Sequence, residues 1–125
     1  MYDAIVVGAR CAGSPTAMLL ARKGYRVLLS DRSTFPNDTM STHLIKVPGV
    51  VRLERRGLLD KVVRAANCPE ISEVTFDLGA SSLTGSAPSA DGSAQCYAPR
   101  RIQLDKVLVE AAVEAGVELR VLCQG

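Results

Sequence analysis

The stretch AIVVGARCAGS, residues 4–14, constrains this chain more than any other. The run around it, YDAIVVG at 2–8, is short, β-branched, apolar on both faces and closed by Gly8, which predicts a buried parallel strand. From Cys11 to Lys23 the small and apolar residues Ala12, Thr16, Ala17, Leu19, Leu20 and Ala21 predict a helix with one close-packing face. Gly24 ends it, and Pro15 falls near its first turn, where a missing N–H is easily tolerated. YRVLLSD at 25–31 is a second β-branched run, stopping at an acid. Residues 2–31 thus have the order and length of a strand-helix-strand parallel crossover, and the fold class is α/β with a parallel sheet.

The remainder extends this frame. RSTFPNDTMSTH is turn-rich and reads as a loop over the strand ends; VPGVVRLERRGLLDKVVRAA has helical spacing, with Pro48 near a start and Gly57 at an interruption. ISEVTFDLG predicts a half-exposed strand, SSLTGSAPSADGSAQ a turn or loop, and CYAPR the return strand of a β-hairpin. RIQLDKVLVEAAVEAG predicts a helix ended by Gly116, and VELRVL a last strand. With 125 residues, 47% of them hydrophobic, one core and one domain over 1–125 are expected.

Composition excludes several classes. Fifteen basic and thirteen acidic residues are scattered along the chain, there is no Trp, and Phe and Tyr are few, so neither a phosphate-binding field nor a stacking platform for nucleic acid exists. Cys11, Cys68, Cys96 and Cys123 are too dispersed for a metal set, with His43 the sole imidazole. No apolar run reaches the ~18 residues of a membrane span, and MYDAIVVG places an acid where a signal peptide has a base. Free thiols without a leader fit a cytoplasmic protein.

In a dinucleotide fold, the first glycine of the strand-to-helix turn lets the chain turn tightly. The second lets backbone approach a pyrophosphate, and the third lets helix and strand pack closely. Gly8 and Gly13 fill the first and third roles, and Asp31 stands where an acid accepts hydrogen bonds from a ribose, about 20 residues on. Arg10 occupies the second-glycine position. Its guanidinium, turned outward along the phosphates, would add charge where a diphosphate meets a helix N-terminus. The competing reading is that the glycines only tighten a turn in some other α/β protein.

YDAIVVGARCAGSPTAMLLARKGYRVLLSDRSTFP, then STH, then APRRIQLDKVLVEAAVEAGVE together resemble the N-terminal part of FAD-dependent oxidoreductases. The group is that of the p-hydroxybenzoate hydroxylase-like aromatic monooxygenases and the geranylgeranyl reductases, in which the Gly-Ala-Arg-x-Ala-Gly variant recurs. The resemblance implies an incomplete Rossmann-like flavoprotein fold binding FAD through Gly8, Arg10, Ala12, Gly13 and Asp31. It also implies Arg32 near the adenine, Arg101 of an arginine-x-x-leucine-aspartate motif on the phosphate and ribityl side, and the loop with Thr42 and His43 toward the flavin. Each has a plainer alternative: Arg101 as a helix cap, Arg32 as a solvated charge, His43 as a helix-start residue, Cys11 as packing.

Members of that group are much longer and carry a second glycine-aspartate motif and a substrate sheet, which this sequence does not reach. The expected function is therefore the FAD-binding portion of a monooxygenase or reductase, truncated relative to that group. In the complete enzyme a nicotinamide donor, NADH or NADPH, would deliver hydride to the flavin and a small molecule would be the substrate. A nicotinamide-dependent dehydrogenase fragment and a non-catalytic remnant are the alternatives; the catalytic residues and the oligomeric state are not set by the sequence.

Overall fold

The computed structural model describes residues 1–41, 44–86, 89, 92 and 95–121. In chain order its elements are β1 (Ala4–Val7), α1 (Gly13–Arg22), β2 (Val27–Asp31), α2 (Val47–Arg55), α3 (Leu59–Ala66), β3 (Glu73–Asp77), β4 (Ser82–Ser86), α4 (Arg101–Glu114) and β5 (Glu118–Val121). Where length suggests one core, the chain gathers into two compact units, Met1–Met40 with Arg101–Gly125, and Ser41–Arg100.

The first unit is the parallel sheet foreseen from the β-branched runs, in the order β1-β2-β5. Ala4 pairs with Val27 and Val7 with Ser30; Leu28 pairs with Glu118 and Asp31 with Val121. Reading outward from β1, this is the 3-2-1 half of a dinucleotide-binding sheet, with β5 as its third strand. Helix α1 lies against β1 and β2 and packs along α4. Small residues make that approach possible: Ala17 in α1 and Ala112 in α4 are fully buried, beside Met18, Val107 and Leu108. Gly24 and Gly116, both at φ above +90° or at it, turn the chain out of α1 and α4, a conformation open to glycine at little cost.

One expectation for β1 fails. The strand is not buried on both faces: Ala4 and Val6 are half-buried, while Ile5 and Val7 are 64% and 81% exposed. Successive side chains of a strand point to opposite faces, and Val6 lies on the side approached by Gly13 of α1. Sequence alone shows that both faces are apolar but not whether both are covered.

The second unit holds α2, α3 and the antiparallel hairpin β3-β4. Val47 and Val51 of α2 pack with Cys96 and Ile71, and single bridges join Ile45 to Tyr97 and Ile71 to Cys96. Pro48 sits at the start of α2, and Gly57, at φ +72°, separates α2 from α3 as its position in the sequence suggests. The return strand of the hairpin is displaced from expectation. It is Ser82–Ser86, with Phe76 opposite Leu83 and Thr75 opposite Thr84, whereas CYAPR contributes only the bridges. The cause is a tight turn at 77–81: the Gly79 N–H donates to Asp77 Oδ1 at 2.8 Å and the Leu78 N–H to the Ser81 carbonyl at 2.9 Å. An Asp-x-Gly turn closes the hairpin before the longer serine-rich run begins.

Candidate cofactor site

The site is assembled at the end of β1. Gly8, at φ +98°, turns the chain while its N–H still donates to the Ser30 carbonyl at 2.7 Å, so the loop begins in register with β2. Ala9 is completely buried, its N–H donates to Asp31 Oδ2 at 2.7 Å and its carbonyl accepts from Ser14 Oγ at 2.9 Å. The loop then enters α1 through Ala12, with no side chain capping the helix. A Cβ on Gly13 would lie 1.7 Å from the Gly8 carbonyl oxygen and 2.9 Å from its carbon, so a residue with any side chain is excluded there without moving the backbone. This is the close helix-strand approach that the third glycine of the fingerprint serves.

Asp31 closes the opposite wall. Its Oδ1 accepts from the Ser33 N–H at 2.8 Å while Oδ2 holds Ala9, so one carboxylate fastens two loops. Burial opposes its charge, but the Ala9 and Ser33 N–H groups and the Arg10 guanidinium outweigh burial and hold the carboxyl below its ordinary value. A carboxylate acidified by folding stabilises the native state above its unfolded pKa, about 3.9, and that contribution disappears as pH falls through the lower folded value. Acid unfolding followed by circular dichroism should therefore show a loss of stability as pH falls below about 4 that is shallower in Asp31→Asn. Parallel slopes for the two proteins would show that Asp31 is not responsible.

Between these walls runs a groove of about 500 Å³, lined by Val7, Gly8, Arg10, Asp31, Arg32 and Ser33 among others. Arg32 is exposed at its rim, and Ala12 is exposed at the head of α1. The turn at Gly8 and Arg10 and the carboxylate of Asp31 therefore line one groove.

Arg10 does not simply extend outward. Its Nη1 donates to Asp105 Oδ2 at 2.8 Å, its Nη2 to Asn37 Oδ1 at 3.3 Å, and its guanidinium carbon lies 5.5 Å from the centre of the Phe35 ring. Arg101, the first residue of α4, donates through Nε and Nη2 to the two oxygens of the same Asp105, at 3.2 and 3.1 Å. The Asp105 side chain is fully buried, with Arg10 26% and Arg101 13% exposed. Cys11 Sγ completes the group, 3.6 Å from Asp105 Oδ1. Desolvation, followed by the Asp105 charge, pushes the Cys11 thiol above its usual pKa, overriding the thiolate-favouring pull of a helix N-terminus.

The structure thus brings Gly8, Arg10, Asp31 and Arg32 to one groove, seats Gly13 against the Gly8 carbonyl, and joins Arg101 to Arg10 through Asp105. Thr42 and His43 lie outside the described residues. Asn37 and Phe35 are participants that sequence reasoning missed, and Asp105, the aspartate of the arginine-x-x-leucine-aspartate motif, is given no role by it. For Asp105 a signal exists: it is an acid set among Leu104, Val107 and Leu108 on the apolar part of α4, four residues after an arginine, the spacing of a helical ion pair. Among the described residues there is no cluster of three metal-ligating side chains and no helix long and apolar enough to cross a membrane.

Residues 1–123 match the family described as FAD binding domain. Protein FixC of Escherichia coli O157:H7 is 31% identical over 95% of this chain and 28% of its own length. Among solved structures, the myxobacterial chondrochloren halogenase CndH, an FAD-dependent halogenase, superposes with TM-score 0.80 and 27% identity over 96% of this chain and 28% of CndH. A geranylgeranyl bacteriochlorophyll reductase-like protein of Thermoplasma acidophilum gives TM-score 0.74 at 21% identity, over 96% of this chain and 30% of that one, a likeness of fold. The chain therefore spans less than a third of the length of these relatives. With the glycine turn, the acid of β2 and a family match over nearly every residue, the chain belongs to the FAD binding domain family.

Proposed function

We propose that this chain grips the adenosine diphosphate half of FAD, and that the full-length protein is a cytoplasmic oxidoreductase of monooxygenase or reductase type acting on a small molecule. Bound FAD supplies the redox chemistry: acceptance of hydride from NADH or NADPH and delivery of reducing equivalents to oxygen or to an alkene. The chain's own residues bind and orient. The leading N–H groups of α1, aligned with the helix dipole, face the diphosphate. Gly8 and Gly13 keep side chains out of the turn, Ala12 leaves the helix head uncrowded, and Asp31 accepts from the ribose hydroxyls with the lone pairs that Ala9 and Ser33 leave over. Arg32 would serve the adenine end and Arg101 the ribityl side.

The observation carrying this reading is the coincidence of a turn that excludes a Cβ at Gly13 with a buried carboxylate across the same groove. A small-molecule substrate is supported by an apolar pocket of about 620 Å³ within the second unit, lined by Leu44, Val47, Pro48, Val74, Phe76 and Leu83 among others. Purified full-length protein should carry flavin, detected by its visible absorbance and identified as FAD by chromatography after release. Reduction of that flavin by NADH or NADPH under anaerobic conditions should bleach the absorbance. Bound NAD without flavin would overturn the cofactor assignment, and flavin that neither nicotinamide reduces would overturn the donor.

A further inference from the structure

We infer that Asp105 is a positioning residue, the buried counter-ion that lets an arginine stand where the fingerprint has its second glycine, by drawing the Arg10 side chain off the path of the diphosphate. The inference rests on the groove being the diphosphate site. Glycine is favoured at that position because backbone must come close to the pyrophosphate. Arg10 instead brings a long, charged side chain to a residue that lines the groove. Its guanidinium is held on three sides: by Asp105 at 2.8 Å, by Asn37 at 3.3 Å and by the Phe35 ring.

Asp105 is suited to this task by its burial and its position. It has no solvent exposure, and it reaches Arg10 from a helix that begins far along the chain. A buried carboxylate is costly unless paired and hydrogen-bonded. Arg101 spans both of its oxygens with a two-pronged contact, and Arg10 donates to Oδ2 as well. Two guanidinium groups against one carboxylate leave one net positive charge beside the head of α1, so the side chain is restrained without making the site repel an anion. The second glycine is thus replaced by a pair, Arg10 with Asp105, and the acid is needed because of the arginine.

That dependence sets the test. Asp105→Asn, Arg10→Gly and the double variant are made in the full-length protein. FAD affinity is measured by titrating each apoprotein and following flavin fluorescence, with thermal unfolding of each apoprotein in parallel. The expected result is that Asp105→Asn raises the FAD dissociation constant at least about tenfold when Arg10 is present, and less than about threefold when Gly stands at 10. An equal loss in both backgrounds, or none in either, overturns the inference, since Asp105 would then act through Arg101 or through the fold alone. If Asp105→Asn does not fold but the double variant does, the inference stands, because removing the arginine has removed the need for its partner. If neither folds, it is overturned. Wild-type protein that takes up no FAD removes the cofactor reading itself, a result distinct from equal losses in a protein that binds.

Discussion

Gly13→Ala is expected to disrupt the first unit outright. The added methyl would stand 1.7 Å from the Gly8 carbonyl oxygen, and that oxygen belongs to backbone rather than to a side chain able to turn away. Either α1 must lift from β1 or the Gly8 turn must open, and each would pull the Ala9 N–H from Asp31. Overpacking of ordinary cores costs about 1–3 kcal/mol, occasionally more; a collision with fixed backbone places this one at about 3 kcal/mol or above. For a domain of this size that lowers the melting temperature by roughly 12 °C or more. Gly8→Ala makes the comparison. A Cβ there meets nothing within 4 Å, and only the φ of +98° opposes it, at about 1–2 kcal/mol. Melting curves in which Gly13→Ala is as stable as Gly8→Ala would show that the helix-strand approach is looser than described.

Asp31→Ala is expected to weaken FAD binding by about 1–3 kcal/mol, the range for a hydrogen bond to a charged group, or roughly 5- to 150-fold in dissociation constant. Two effects combine. On the proposed reading the ribose would lose its acceptor, and the Ala9 and Ser33 N–H groups lose the carboxylate that fixes both walls of the groove. Asp31→Asn separates them, because an amide keeps one acceptor oxygen while its NH₂ faces a donor. Its affinity should fall between wild type and alanine. Titration of each apoprotein with FAD gives the values, and an unchanged constant in Asp31→Ala would remove Asp31 from the site.

These two residues are also those the sequence announces most clearly, for a physical reason. Gly13 and Asp31 belong to a local strand-helix-strand unit, where spacing along the chain fixes spacing in space. The β-branched runs at 4–7 and 27–31 and the helix between them follow the same logic, as does α4 with its apolar spacing and terminal glycine. Legibility ends where partners are distant. Nothing near Arg10 reveals that its counter-ion arrives with α4, so a reading of the local sequence sends the guanidinium toward the phosphates. Ile5 and Val7 show the same limit: alternation identifies the two faces of β1, but occupancy of each face depends on other parts of the chain. The hairpin was displaced for a smaller reason, since the short Asp77-Leu78-Gly79 turn competes with a conspicuous serine-rich stretch and closes first.

The first unit is stitched from two separated segments, with Ser41–Arg100 emerging between them. On a ribosome β1, α1 and β2 are released well before α4 and β5, so the nascent βαβ unit waits with one sheet edge unpaired and with Arg10 lacking its acid. Growing by one doubling of loop length adds only about 0.6 kcal/mol to the entropy of closure, which makes so long an interruption tolerable at equilibrium but slow to bridge. The parallel sheet and the Arg10–Asp105 pair are thereby completed only after synthesis has passed α4 and β5.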